Sequence, residues 1–206
     1  VGPPVAPVAG DHPYYLRWMC NGCGTGRSHE LYRTTLKLNV VAMPGHPISP
    51  HAFGWFTRPI KSLADFKTMK CRQTGINAQI FTRMGMTTIN LPGGEILPAA
   101  QRGVIDCAEW VGGVEDLRLG LHTVYKFHYT PGMHENNTMG EIVFNGDVWK
   151  SFTPLQHEII RSASRHANIS WYPEWQKQTA DALQEPQEKH GAKVLHTPPE
   201  ALIANP

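Results

Sequence analysis

No run of about 18 apolar residues occurs anywhere in the chain, so no stretch reads as a membrane-crossing helix. Charge of one sign is scarce too. Nineteen Lys and Arg against 17 Asp and Glu leave +2 with histidines neutral, which gives no basic surface for nucleic acid. There is no HExxH, no Ser-His-Asp order and no nucleophile–base pair, and Ser49, Ser151 and Ser170 stand outside any motif. Cysteine is limited to four. Cys20 and Cys23 form a CxxC without the second pair that zinc requires, while Cys71 and Cys107 stand alone, so loop cysteines or a disulfide of an oxidising compartment is preferred to a redox or zinc site. Val1 to Gly10 lacks the charged start and long apolar core of a signal peptide. His122, His128 and His134 recur every six residues, matching neither a helix face nor a zinc spacing, and read as incidental.

What remains is 206 residues, 41% apolar and 17% charged, enough for one large soluble domain or two small ones. The most informative stretch is Lys70 to Gly113. Lys70 to Arg72 reads as a short strand, and Gly75 turns the chain. Ile76, Ile80, Phe81 and Met84 then recur at helical spacing, and Gly85 closes that helix. Thr87 to Leu91 reads as a strand, Glu95 opens a helix with Pro98 in its first turn and a stop at Gly103, and Val104 to Val111 is the next strand. Alternating strands and short helices imply a parallel sheet, whose carboxyl-end turns carry ligands. Arg72 and Glu109 lie near those ends. Arg72 reads as a structural charge or a ligand clamp. Glu109 sits in an apolar run beside Trp110, where an ionised carboxylate is costly without an arginine or a metal ion.

Elsewhere, Leu38 to Met43 reads as a strand and Pro44 to Pro47 as a loop leading past His51 to Gly54-Trp55-Phe56. Ser62 to Phe66 is a short capped helix, Leu117 to His128 a helix-like stretch, and Glu141 to Asn145 a strand. Thr153-Pro154 caps a long helix that Pro173 and Pro186 should kink or divide. The tail supplies a terminal turn at most, at Ala201 to Ala204.

Five pieces in order carry a family resemblance: Gly54 to Phe56, the strand ending in Arg72, GGEI-x-PA at Gly93 to Ala99, G-x-IDxAEWVG at Gly103 to Gly112, and PGMHE at Pro131 to Glu135. From about Trp18 onward the chain resembles the solute-binding proteins of tripartite ATP-independent periplasmic (TRAP) transporters, DctP type, in the branch taking 2-oxo or 2-hydroxy monocarboxylates with a cation. The resemblance implies an α/β fold of periplasmic-binding-protein type (class II-like), with a mixed or parallel sheet flanked by helices and a long C-terminal helical region. It implies that the N-terminal lobe is missing: 1–16 a remnant of the crossover, 17–107 the second lobe, 108–150 the return and hinge, and 151–206 the C-terminal helices. Exposed sheet edges and an apolar face would follow.

By the same resemblance Arg72 grips the substrate carboxylate, with two parallel donors that lysine cannot reproduce. Glu109 contributes a carboxylate, and Trp110 a backbone carbonyl, to a bound sodium or calcium ion, while the Trp110 side chain packs. His51 stands where the family has a cation-ligating glutamine. It would bind the substrate carboxylate, bind a different ion, leave the ion short of a ligand, or simply be solvated. Glu135 stands where members often carry an acidic cation ligand or a hinge contact. Leu97 replaces a family tyrosine, favouring a smaller or more apolar ligand. The implied function is binding, without catalysis, in the periplasm, with delivery to membrane permease subunits and a possible homodimer through the C-terminal helix. A diverged non-binding homologue and a metal-dependent enzyme are the alternatives.

Overall fold

The structure is a computed structural model, which describes Met19 and residues 24–48, 50–135 and 138–203. The Cys20–Cys23 pair and Trp18 lie outside the described residues. The chain divides into two compact units: 1–49 with 137–176, and 50–136 with 177–206.

In the first unit, helix α1 (Gly24–Glu30) runs into a π-helical turn (Leu31–Thr35) and then into strand β1 (Val40–Ile48). β1 pairs antiparallel with β7 (Thr138–Asn145), from Val40 opposite Asn145 to Ile48 opposite Thr138. The expected loop at Pro44 to Pro47 is therefore part of the strand. The register slips between Pro44 and His46, and this bulge accommodates prolines that cannot donate to a ladder. Asn145 caps helix α5 (Gly146–Ser151), its Oδ1 accepting from the N–H groups of Asp147 and Val148 at 2.9 and 3.3 Å. Ile142 and Val143 on β7 are exposed.

Helix α6 (Pro154–His190) is continuous for 37 residues, against the expectation of a kink or break at Pro173 and Pro186. Each proline removes one ladder hydrogen bond, yet helix propagation is cooperative and the flanking turns are anchored. In the first unit Ser164 Oγ and Asn168 Nδ2 donate to the Pro44 carbonyl at 2.5 and 2.9 Å. In the second, Thr179 and Leu183 pack on Gly113, where an added Cβ would lie 3.0 Å from the Thr179 carbonyl oxygen. Pro173 is exposed, so Pro173→Ala restores a backbone donor at little packing cost. It should stabilise the chain by roughly 1–3 kcal/mol; a lowered thermal midpoint would show that the ring is compensated locally.

The second unit holds a mixed six-stranded sheet in the order β4-β3-β5-β2-β6-β8. Its strands are β2 (Gly54–Phe56), β3 (Lys70–Arg72), β4 (Thr87–Ile89), β5 (Cys107–Ala108), β6 (Phe127–Thr130) and β8 (Lys193–His196). β3 runs parallel to β4 and β5, β2 antiparallel to β5 and β6, and β6 parallel to β8. Helices α2 (Gly75–Arg83), α3 (Gly93–Gln101) and α4 (Gly113–Leu119) connect the strands, and α7 (Pro199–Ile203) ends the described chain. Alternation along β2 puts adjacent aromatics on opposite faces. Phe56 joins Phe53, Phe66, Phe81 and Tyr129 on one side, and Trp55 joins Ile96, Ile105, Leu121 and Tyr125 on the other. Each such side chain contributes about 1.5–3 kcal/mol on burial.

Several local expectations give way to this sheet. The Val104 to Val111 segment is a strand only at Cys107–Ala108. Helix α3 begins at Gly93, so Pro98 falls beyond its first turn. Cys71 and Cys107 do not stand alone: they are register partners on β3 and β5, with Cα atoms 4.5 Å apart, and form a disulfide. The tail adds β8 and α7 rather than one turn. His128 lies on β6, not on a helix. Its ring is buried 4.4 Å from Trp55 with no partner at either nitrogen, and burial pushes its pKa down to about 4. Folding therefore favours neutral His128. That stability is complete above about pH 6.5 and is lost as pH falls toward 4, a difference of roughly 3 kcal/mol. His128→Phe should lose less stability between pH 6.5 and 4 than the parent chain in denaturant melts, and equal acid slopes would refute this. No described helix is long and apolar enough to cross a membrane.

Candidate functional site

Parallel pairing of β3 and β5 sets Arg72 opposite Ala108, so that Arg72 and Glu109 meet where the two strands end. Both are about 5% exposed. Arg72 donates Nη1 to the Glu109 backbone carbonyl at 2.6 Å and Nε to the Leu91 carbonyl at 3.2 Å, which fixes the plane of the guanidinium. Its Nη1 is 3.7 Å from Glu109 Oε2, and its charge lies 5.1 Å over the Trp110 ring. That ring packs closely on Gly93, where any Cβ would meet it at 2.7 Å, so the GGEI turn needs a glycine here.

A second pair of strands delivers the remaining groups. His51 precedes β2 and His134-Glu135 follows β6, and these strands are sheet neighbours. The two loops are laced by His51 N–H to the Glu135 carbonyl (3.2 Å) and Gly132 N–H to the His51 carbonyl (3.1 Å). A side chain at Gly132 would stand 2.5 Å from the His51 carbonyl oxygen, closer than real contacts allow. Glu135 adopts φ +47°, unusual for a non-glycine residue, and is held there at both ends. Its Oε1 accepts from Asn77 Nδ2 at 2.7 Å, and its Oε2 is 3.2 Å from His51 Nδ1.

His51 Nδ1 also meets Glu109 Oε1 at 2.8 Å, and His134 Nε2 lies 3.8 Å from the same oxygen. Burial opposes protonation of His51, but the Glu109 hydrogen bond and the Glu109 and Glu135 charges outweigh it and raise its pKa. Burial would likewise raise Glu109, yet His134 and His51 reverse that and hold the carboxyl below its usual range. At 3.8 Å, the His134 Nε2–Glu109 Oε1 separation is longer than a hydrogen bond. Burial lowers the Arg72 pKa against the pull of Glu109, Glu135 and Asp116. Behind the cluster, buried Asp116 accepts from Trp55 Nε1 and the Val111 N–H at 2.9 and 3.1 Å, and burial raises it to about 7.

All five expected residues thus sit in one neighbourhood of the second unit, with Trp110 entering through its ring against Arg72. Leu97 packs near Gly120 instead. His51 is not solvated, being 6% exposed. Histidine spacing hid His134, which is buried with His51 and Glu109 in a triad whose ligand atoms lie within 4.8 Å of one another, while His122 and His128 stand outside it. The HE dipeptide of PGMHE was the available signal. Asn77 carried none, since its role depends on where α2 starts.

Residues 50–204 match the family model of the bacterial extracellular solute-binding proteins, family 7 (DctP). The chain belongs to this family. It is 33% identical over 166 residues to a monocarboxylate 2-oxoacid-binding periplasmic protein of Nostoc, covering 81% of this chain and 45% of that protein. A TRAP transporter solute-binding protein from Bordetella bronchiseptica, with calcium and picolinate bound, superposes with TM-score 0.85 at 27% identity, covering 94% of this chain and 56% of the other. One from Pseudoalteromonas atlantica, with sodium and pyruvate bound, gives 0.84 at 25% identity over 97% and 60%. The chain therefore spans about half the length of the relatives it matches, and its α/β architecture is that of the DctP-type binding proteins.

Proposed function

We propose that this chain is the ligand-holding part of an extracytoplasmic TRAP solute-binding subunit. It takes a small 2-oxo or 2-hydroxy acid, such as pyruvate or lactate, together with a metal cation, and serves binding rather than catalysis. The observation that carries this reading is the buried Arg72 guanidinium, oriented by two carbonyls and set against Glu109 at the strand ends. The solved relatives with pyruvate or picolinate beside sodium or calcium, and the 2-oxoacid-binding Nostoc relative, support the ligand class. Delivery to membrane permease subunits, a periplasmic location and a homodimer belong to the same proposal, as does the division into a crossover remnant (1–16), second lobe (17–107), hinge (108–150) and helical region (151–206).

The residues divide the work by charge. Arg72 supplies a fixed cation with paired donors for the ligand carboxylate. Glu109 and Glu135 are two negative charges beside that position, and the arriving acid adds a third. Arg72 answers only one of them, so the site calls for a further cation. Three buried imidazole nitrogens, His51 Nε2 and both of His134, lack partners and fit a coordinating role. A bound ion would supply that charge and orient the acid's oxygens. Trp110 covers the guanidinium, keeping it from water.

A thermal-shift panel of pyruvate, lactate, acetate and a sugar acid tests the reading. Ligand at 100 times its Kd stabilises by about 2.7 kcal/mol. Pyruvate or lactate should raise the midpoint and acetate should not. A cooperative melt that none of them moves would make the chain a non-binding member of the family.

A further inference from the structure

We infer that His51, His134 and Glu109 form a centre for a divalent transition-metal ion of the zinc type, on which the 2-oxo or 2-hydroxy acid closes as a chelate. This rests on the carboxylate reading above and changes the ion expected there. Hard ions such as sodium and calcium are held by oxygen donors, whereas neutral imidazole suits zinc, cobalt and nickel. Here two of the three converging side chains are imidazoles, and their ligand atoms and one Glu109 oxygen lie within 4.8 Å of one another. All three residues are buried, and three of the four ring nitrogens have no hydrogen-bond partner. Buried polar atoms without partners are rare, and a shared ion, taking one nitrogen from each ring, would satisfy at most two of the three.

The surroundings fit such a centre. Three protein donors leave coordination positions open, as sites that must also take a ligand do. A 2-oxo acid offers one carboxylate oxygen and its keto oxygen to those positions, and a 2-hydroxy acid its hydroxyl. Glu135 Oε2, 3.2 Å from His51 Nδ1, is an outer carboxylate able to set the imidazole's tautomer and orientation, and Asn77 holds Glu135 in turn. The inner apolar wall includes Phe81, whose ring centroid is 5.6 Å from that of His134.

Cobalt(II) reports the centre directly. Chelator-treated chain titrated with Co2+ should develop one equivalent of intense visible ligand-field absorption, abolished by Zn2+ and altered by pyruvate. With 11 histidines in the chain, stoichiometry alone does not locate the ion, so His51→Gln and His134→Gln are compared. Each should weaken Co2+ at least about 100-fold, more than the 10–100-fold typical of losing an outer partner. His51→Gln, which restores an amide oxygen, should let Ca2+ support pyruvate binding. If the untreated sequence shows no Co2+ band while Na+ or Ca2+ supports pyruvate binding, the centre is refuted and the carboxylate reading survives. Bands that vanish in His51→Gln but respond to no carboxylate establish the centre and overturn the ligand reading. Bands unchanged in both variants place the ion elsewhere and refute the assignment.

Discussion

Arg72→Lys is expected to weaken pyruvate binding at least about 100-fold while leaving the fold intact. Lysine keeps the charge, so a purely electrostatic role would survive the change. What it loses is geometry. The Arg72 guanidinium is fixed by the Glu109 and Leu91 carbonyls before any ligand arrives, and a flexible ammonium cannot make both contacts and still offer paired donors. Charged hydrogen bonds contribute about 1.5–3 kcal/mol each, and the loss of about 3 kcal/mol is roughly 100-fold in Kd. Calorimetry on the two proteins, with circular dichroism as a fold check, decides it. Equal affinities would reduce Arg72 to a structural cation.

Glu109→Gln should produce the largest loss of stability of any single change in the site. Among the described residues it removes the one carboxylate in contact with His51, Arg72 and His134 together. Breaking a buried charge network from one side costs about 3–5 kcal/mol, or roughly 6–20 °C in a domain of this size. The pH dependence follows from the two shifts. Glu109 is lowered, so its contribution is present above its unfolded pKa of about 4.5 and is lost as pH falls through the lower folded value. His51 is raised, so its contribution is full below about 6.5 and fades as pH rises through the higher folded value. The destabilisation should peak near about pH 5.5 and shrink, without vanishing, at pH 9, where Arg72 remains charged. A loss that does not vary with pH would mean that His51 and Glu109 are not coupled.

Arg72 and Glu109 were legible in sequence because charges embedded in short apolar strands have few places to go except the strand ends. Parallel pairing of β3 with β5 then brought them together. The His51–Glu109 contact was not legible. It spans 58 residues and exists because β2 inserts between β5 and β6, an order that local pattern does not encode. The same order pairs β6 with β8, so the four residues of KVLH, too short to signal a strand, become one through their neighbour. Proline misled twice in the same direction, towards an interruption that did not occur. The bulge in β1 absorbs Pro44, and anchored turns carry α6 past Pro173 and Pro186, because tertiary contacts outweigh local propensity where they are strong enough.

The central claim is that this chain holds a small carboxylate through Arg72 with a cation at Glu109. Calorimetric titration with pyruvate, before and after chelation and dialysis into an alkali-free buffer, tests it most directly. The account predicts one-to-one binding that disappears on ion removal and returns when the ion is restored. Binding of equal affinity in the ion-free chain would contradict it, because the acid would then be held beside Glu109 and Glu135 with no ion to offset their charge.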